Sequence, residues 1–379
     1  MTTQVMPTVS GLAPDRPQRR QVVSLPPVLE AGGSVLAGFA LVWLVFAIAG
    51  IHGPFGFALC CMGAFFVLYT LLSWRLHGIL VAKDRLATVA IWTGAFSAFV
   101  PLVWVIGYVI LQGGAVVLAH FPHFLTADFS GYTGTAPVTA VGSFAAIVGS
   151  VEQVGLATIF TVPLGILAAT YLASNRNTFA LVVGSVVDAM VGMPAIIAGL
   201  FVYYLWVLPQ KTNGQSGVAC AFALSVIMLP IVIRAAQEVI SIVPPALTEA
   251  SYALGGPRWR TLLRVVLPTA RVGLVTATIL GIARVAGETA PVLLVGGGNP
   301  KTNWNPFSGI QDDLPLRIYQ MIFQPGVNAT RDAWGVSFVL VLVIFVLFAL
   351  ARLIGKRSSG ARRLSQLLPF QRRPFAAED

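Results

Sequence analysis

Eight stretches of this chain are almost free of charge, and short polar segments separate them. They lie at about 33–51, 54–74, 87–118, 142–173, 179–208, 217–243, 270–296 and 335–355. Each approaches or exceeds the ~20 residues that a helix needs to cross a bilayer, and the longer ones are expected to tilt or to extend beyond it. In lipid a backbone must satisfy its own polar groups, so these runs are predicted to be helices. The pattern predicts an all-α polytopic membrane protein with about eight transmembrane helices. Ile51-His52-Gly53-Pro54 is a very short link with helix breakers, which makes the first two spans a tight hairpin. Gly192-Met193-Pro194 interrupts the fifth span, and Pro244-Pro245 stop the sixth.

Charge sets the orientation. The outer loops of an N-terminus-inside topology hold Lys211, Lys301, Arg317 and Arg331, and Arg234 and Arg284 fall within apolar runs. All remaining basic residues then collect on the cytoplasmic side, as the positive-inside rule requires, and both termini are expected in the cytoplasm. Residues 1–32 read as a disordered cytoplasmic tail, because Arg16, Arg19 and Arg20 stand well before the first apolar run, unlike a signal peptide. The extra hairpin and its basic linker occupy 33–86, the main transmembrane domain 87–355 with a loop at 244–268, and a basic cytoplasmic tail 356–379. Of the outer loops, 119–141 contains His120, His123 and Asp128. The loop at 297–334 holds a short amphipathic helix near Leu314–Phe323, expected at the interface with its apolar side towards lipid or a pore mouth.

Composition agrees: 56% of the 379 residues are hydrophobic and 10% charged, far below the quarter usual in soluble domains. The net charge of +10 is explained by its distribution across a membrane, so no nucleic-acid partner is expected. Cys60, Cys61 and Cys220 lie in apolar runs without metal-site spacing and are expected to be buried structural thiols.

Charges inside apolar runs are costly and tend to face a pathway or a partner. Arg284 and Glu288 stand four apart, on one face of a helix, in Gly281-Ile-Ala-Arg-Val-Ala-Gly-Glu-Thr-Ala-Pro291. A planar guanidinium suits a tetrahedral oxyanion, and the carboxylate can neutralise it when no anion is present. A structural ion pair that packs helices would use the same two residues, and the chemistry alone weighs the two evenly. Arg234 and Glu238 repeat the spacing nearer the cytoplasmic end, where they line an inner path or snorkel to the interface. Asp188 precedes the break at Gly192, which places polar backbone near a pathway. Glu152 is expected at a solvated position near the outer start of the fourth span.

The segment 249–268 carries a longer signal. Glu249-Ala250-Ser251 is followed after three residues by Gly255, and nine residues later by Val265-Val266-Leu267-Pro268. Ala246–Leu254 reads as a short helix, Gly255-Gly256-Pro257 as a break, and Arg258–Val266 as a basic amphipathic helix ending at Leu267-Pro268. Two short helices around a glycine elbow form a knob that fits a cleft on another protein. The chain has no phosphate-binding loop of its own: Gly296-Gly-Gly-Asn-Pro-Lys-Thr302 is a near miss with proline before the lysine.

The spacing at 249–268 resembles the cytoplasmic coupling loop of binding-protein-dependent ABC-importer permeases. Within that class Gly281–Val292 resembles the PstA permeases of bacterial phosphate transporters, as do Pro163-Leu-Gly165, Tyr171-Leu172, Val191–Phe201 and Glu249–Gly255 with Trp259 and Thr261. The likeness covers about 87–355. It implies a six-helix type I importer core in the inner membrane, to which the N-terminal hairpin is an addition of no assigned role. It implies a non-catalytic subunit without cofactors, since ATP and magnesium bind a partner ATPase. The implied partners are a PstC-like second permease, a PstB-like ATPase pair, a PstS-like extracytoplasmic phosphate-binding protein, inorganic phosphate and membrane lipid. Arg234, Arg284 and Glu288 become candidates for a phosphate pathway, with Glu238 and Asp188 beside them. Glu249, Ala250, Gly255, Arg258 and Trp259 become candidates for ATPase coupling, and Ser251 departs mildly from the usual second alanine. The rivals are a permease for sulfate or molybdate, an ion-coupled transporter and a membrane scaffold.

Overall fold

The computed structural model describes residues 27–129 and 141–357, and the two expected tails fall largely outside the described residues. The described chain is almost entirely helical. Seven helices are long and apolar enough to cross a membrane, and an eighth crossing arises if a bent pair counts as one span. The eight spans read from the sequence are therefore all present. The chain divides into two compact units, Met1–Trp104 and Val105–Asp379.

The first unit contains helices α1 (Pro27–Ala49) and α2 (Pro54–His77) and the start of α3 (Ile79–Tyr108). α1 and α2 form the expected hairpin. They meet where Gly38 leaves only 3.3 Å between a would-be Cβ and the Phe65 backbone, and where Phe57 packs edge-on against Phe39 and Phe46, both at 5.4 Å. The third span begins earlier than expected. Gly78, at φ +87°, breaks the helix in one residue, so Lys83 and Arg85 belong to the first turns of α3 rather than to a linker. This lets Arg85 reach the buried Glu30, which also faces His77 at 3.6 Å. Cys60 points out of α2 and is exposed, contrary to expectation, whereas Cys220 is buried.

In the second unit α3 continues through a π turn, Val109–Gly113, into α4 (Gly114–Ala119), followed by α5 (His123–Thr126). The long helix α6 (Phe144–Ser174) comes next. The fifth span is broken as expected: α7 (Thr178–Val191) and α8 (Ala195–Val202) meet at 106° across Gly192-Met193-Pro194. The central helix is α9 (Gly217–Ser241), in which Ala219, Cys220, Ala221 and Ala223 have no exposed surface. The coupling-loop helices α10 (Pro245–Ala253) and α11 (Arg258–Thr261) lead through a π turn, Leu262–Val266, into α12 (Leu267–Val285). α13 (Ala290–Val295), α14 (Leu314–Ile322) and α15 (Val327–Arg357) complete the described chain.

Small residues let these helices approach closely, the dominant packing device where lipid removes a hydrophobic drive. Val232 of α9 is wedged between two glycines. A Cβ on Gly165 of α6 would lie 2.8 Å from its Cγ1, and one on Gly281 of α12 would lie 2.7 Å from its Cγ2. Gly273 meets Val239 in the same way, so α12 runs antiparallel to α9. α6, α9 and α12 thus form the core that positions the charged residues.

Two expectations need correction. α11 does not end at Leu267-Pro268 but runs on into α12, because the π turn resets the hydrogen-bond register just before the proline, which then sits in the first turn of α12. The apolar side of α14 faces protein, not lipid: Leu314, Leu316 and Met321 are buried in the chain's own core, while Ile322 and Phe323 stay exposed.

Candidate functional site

Arg284 lies in the last turn of α12, which ends at Val285, and Glu288 N–H closes a turn on the Val285 carbonyl. The two are therefore not on one continuous helix, as their spacing implied. The chain leaves the helix and folds Glu288 back so that the ion pair still forms. Arg284 is 54% exposed along its side chain and Glu288 13%. Among the described residues Glu288 is the one partner of this guanidinium, so most of its five N–H groups remain open.

Arg234 has different company. Its spacing pointed to Glu238, but Glu238 is exposed and its side chain takes no part in the pair. Instead Arg234 donates to Asp188 Oδ1 from Nε at 2.8 Å, to the Gly184 carbonyl at 2.8 Å and to Gln237 Oε1 at 2.7 Å. Gln237 and Gly184 carried no signal in the sequence, since a neutral amide and a backbone carbonyl do not stand out in an apolar run. Asp188 did, and the structure brings it to α9. The antiparallel register of α12 on α9 puts Arg284 level with residues near Met228, about 10 Å along the axis from Arg234. The two pairs thus stand at two depths of one helical core.

The coupling segment packs inward through Thr261 and Val266 and presents its outer face. Glu249, Ala250, Gly255, Arg258 and Trp259 are all exposed, and α10 buries no residue. Gly255 sits at φ +77°, where a side chain would be strained, and makes the elbow. Ser251 does more than stay small. Its hydroxyl meets Thr261 Oγ1 at 2.8 Å and its carbonyl accepts from Gly256 N–H at 3.0 Å, so it locks α10 to α11. Behind the knob a cavity of about 640 Å³ opens between it and the ends of α6 and α9, lined by Tyr171, Asn175, Thr248, Tyr252 and Trp259.

At the opposite end of α9 a polar network ties the chain together. Glu152 is half-buried rather than solvated, because it accepts from Gln311 Nε2 at 2.6 Å. Gln153 of α6 reaches Gln311 and the Asp312 carbonyl, and Arg317 Nε donates to Asp312 Oδ2 at 2.6 Å. Burial pushes Asp312 up to about 6 against the opposing pull of Arg317, and burial raises the neighbouring Asp313 as well.

Residues 161–360 match the family of binding-protein-dependent transport system inner membrane components. The phosphate transport system permease protein PstA 1 of Mycobacterium tuberculosis (strain ATCC 25618 / H37Rv) is 37% identical over 286 residues, 74% of this chain and 90% of the relative. The chain belongs to the PstA permease family. The PstA of Mycobacterium leprae (strain TN) is 36% identical over 74% of this chain and 92% of its own length, and that of Pasteurella multocida (strain Pm70) 34% over 58% and 78%. An inward-facing crystal form of the MetNI methionine ABC transporter aligns with 57% of this chain and 94% of its own, at 21% identity and a TM-score of 0.46. The matched block contains both arginine pairs and the whole coupling segment, whereas α1, α2 and α3 precede it. This PstA-family chain is a multi-pass, non-catalytic membrane component.

Proposed function

We propose that this chain is the membrane-spanning permease subunit of an ATP-driven inorganic phosphate importer. The observation that carries the reading is Arg284: a guanidinium with most of its donors open, held by one carboxylate at the end of a core helix, in a chain of the PstA family. Both termini face the cytoplasm, so the exposed α10–α11 knob meets an ATPase subunit, which binds ATP and magnesium. A second permease of PstC type completes the pathway. An extracytoplasmic phosphate-binding protein of PstS type docks on the outer loops, where Trp304 and Phe307 stand 66% and 73% exposed.

ATP binding closes the ATPase pair and moves the knob. α10 and α11 are locked through Ser251 and Thr261, and α11 runs on into α12, so the movement passes along one rod to Arg284. Phosphate released from the docked protein binds the open donors of Arg284. Glu288 accepts a hydrogen bond from a protonated phosphate oxygen, which sulfate at neutral pH cannot supply. Hydrolysis resets the inward-facing state, the shift being driven by the different affinities of ATP and partners for the two states.

The test is labelled phosphate uptake by the four-component complex in proteoliposomes, with sulfate as competitor. ATP-dependent uptake that excess sulfate leaves intact is expected, and uptake of sulfate in place of phosphate defeats the assignment. Gly255→Asp is expected to leave assembly intact while ATP hydrolysis no longer drives uptake. Normal coupling in that variant removes the docking role of the knob.

A further inference from the structure

Arg234 is an engaged residue rather than a waiting site. Nε and a terminal nitrogen both fall on Asp188 Oδ1, at 2.8 and 2.5 Å, the Gly184 carbonyl takes another N–H, and Gln237 takes one from the remaining nitrogen. Three of the five N–H groups of the guanidinium are thereby hydrogen-bonded, two of them to α7, and the charge of Asp188 lies against a second nitrogen. Ala180 and Val187 are the buried residues of α7, and this staple adds polar contacts beside their apolar packing against Ile233, Ala236 and Ile240 of α9. The arm it holds ends at the 106° break before α8.

We propose that Asp188 is an exchangeable counter-ion of Arg234. An oxyanion moving inward from Arg284 takes the guanidinium from Asp188, and the exchange frees α7 from α9. A carboxylate and a phosphate offer a guanidinium the same kind of acceptor, so one ion pair replaces another at little net cost. The released carboxylate is not sealed within this chain's own core, because Asp188 is 67% exposed along its side chain. Glu288, at 13%, has no such freedom, so the pair above it keeps its partner while the anion uses open donors. When the anion leaves, Asp188 recaptures Arg234 and α7 closes. Gln237 is a positioning residue: its side-chain oxygen orients the guanidinium from within α9.

The proposal rests on the importer reading, and the assembled complex in proteoliposomes tests both. With phosphate-loaded binding protein varied, Asp188→Asn is expected to lower turnover at saturation about tenfold and the half-saturating concentration about threefold, since the anion loses its displacing competitor. Asp188→Glu is expected to restore both values to within about twofold. Unchanged values in Asp188→Asn overturn the proposal. So does a variant that assembles poorly while its assembled fraction turns over normally, since that is the behaviour of a packing ion pair. A wild-type complex that imports no phosphate removes the importer reading itself.

Discussion

Two arginines sit about 10 Å apart along the helical core, each with a carboxylate beside it, and they are built for different tasks. Arg284 stands where a helix ends and, among the described residues, touches one carboxylate and leaves its other donors free. Arg234 stands within a helix, and its donors are shared among a carboxylate, an amide and a carbonyl. Their sequence settings are nearly alike, each with a glutamate four residues on. The difference lies in the local backbone. α12 stops at Val285 and hands Glu288 back to Arg284, while α9 continues, leaves Glu238 outside and delivers Arg234 to α7. An open guanidinium invites a ligand, and an engaged one holds a structure until something competes for it.

The largest effect expected from this contrast is that of Arg284→Gln. Losing a charged, two-pronged donor removes two hydrogen bonds to an anion, each worth about 1.5–3 kcal/mol. Phosphate uptake is expected to fall by at least on the order of 100-fold while the complex still assembles. Arg234→Gln is expected to cost about tenfold in uptake and to raise protease or hydrogen-exchange access to α7, because a staple is lost together with an anion contact. Measuring uptake and assembly together separates the two. Equal losses for both variants, or loss of assembly for Arg284→Gln, break the distinction between an open and an engaged arginine.

The sequence made much of this legible, and its failures have a common cause. Every long apolar run is a helix, and the breaks at Gly53-Pro54, Gly192–Pro194 and Gly255 fall where proline and glycine announce them. Hydrophobic length and chain breakers act locally, so a sequence displays them. The partner of Arg234 is set by tertiary packing. Residue spacing pointed to Glu238 on the same helix, but packing brought Asp188 from 46 residues away. The same holds for Glu152, whose bond to Gln311 spans 159 residues, and for Arg85, whose partner Glu30 lies 55 residues back. Ser251 read as a tolerable small residue because its hydrogen bond to Thr261 exists only once the elbow at Gly255 has folded.

A smaller effect tests whether the two depths matter. Gly281 lets α12 lie against α9 at Val232, and this contact fixes the height of Arg284 relative to Arg234. Gly281→Val places new methyl groups where a single Cβ already lies 2.7 Å from Val232. Overpacking of this kind costs about 1–3 kcal/mol, so the thermal stability of the complex is expected to drop, and uptake per assembled complex to fall severalfold. Adding Val232→Ala restores space and is expected to recover most of both. Recovery of stability without recovery of uptake shows that the register of the arginines, and not packing alone, was disturbed.

The smallest effect comes from a third pair, which sharpens the comparison by being sealed. The side chains of Arg317 and Asp312 are 5% and 0% exposed, and the guanidinium lies 4.2 Å from the Phe129 ring centre. Solvent barely reaches such a pair, so its charges are expected to bear on stability rather than on transport. Burial dominates and raises Asp312 to about 6 from an ordinary 3.8, which makes this carboxyl easier to protonate folded than unfolded. Its contribution to stability is then full below pH 4 and is lost as pH rises through 6, with Asp313 adding the same sign. Hydrogen exchange across 299–317, corrected for intrinsic rates, is expected to show more protection at pH 4.5 than at pH 7. Asp312→Asn is expected to flatten that dependence and to leave uptake per folded complex unchanged. Protection that instead grows from pH 4.5 to 7 means that the attraction of Arg317 outweighs burial. A change in uptake per folded complex means that even a sealed pair takes part in transport, and exposure then ceases to separate the working arginines from the structural one.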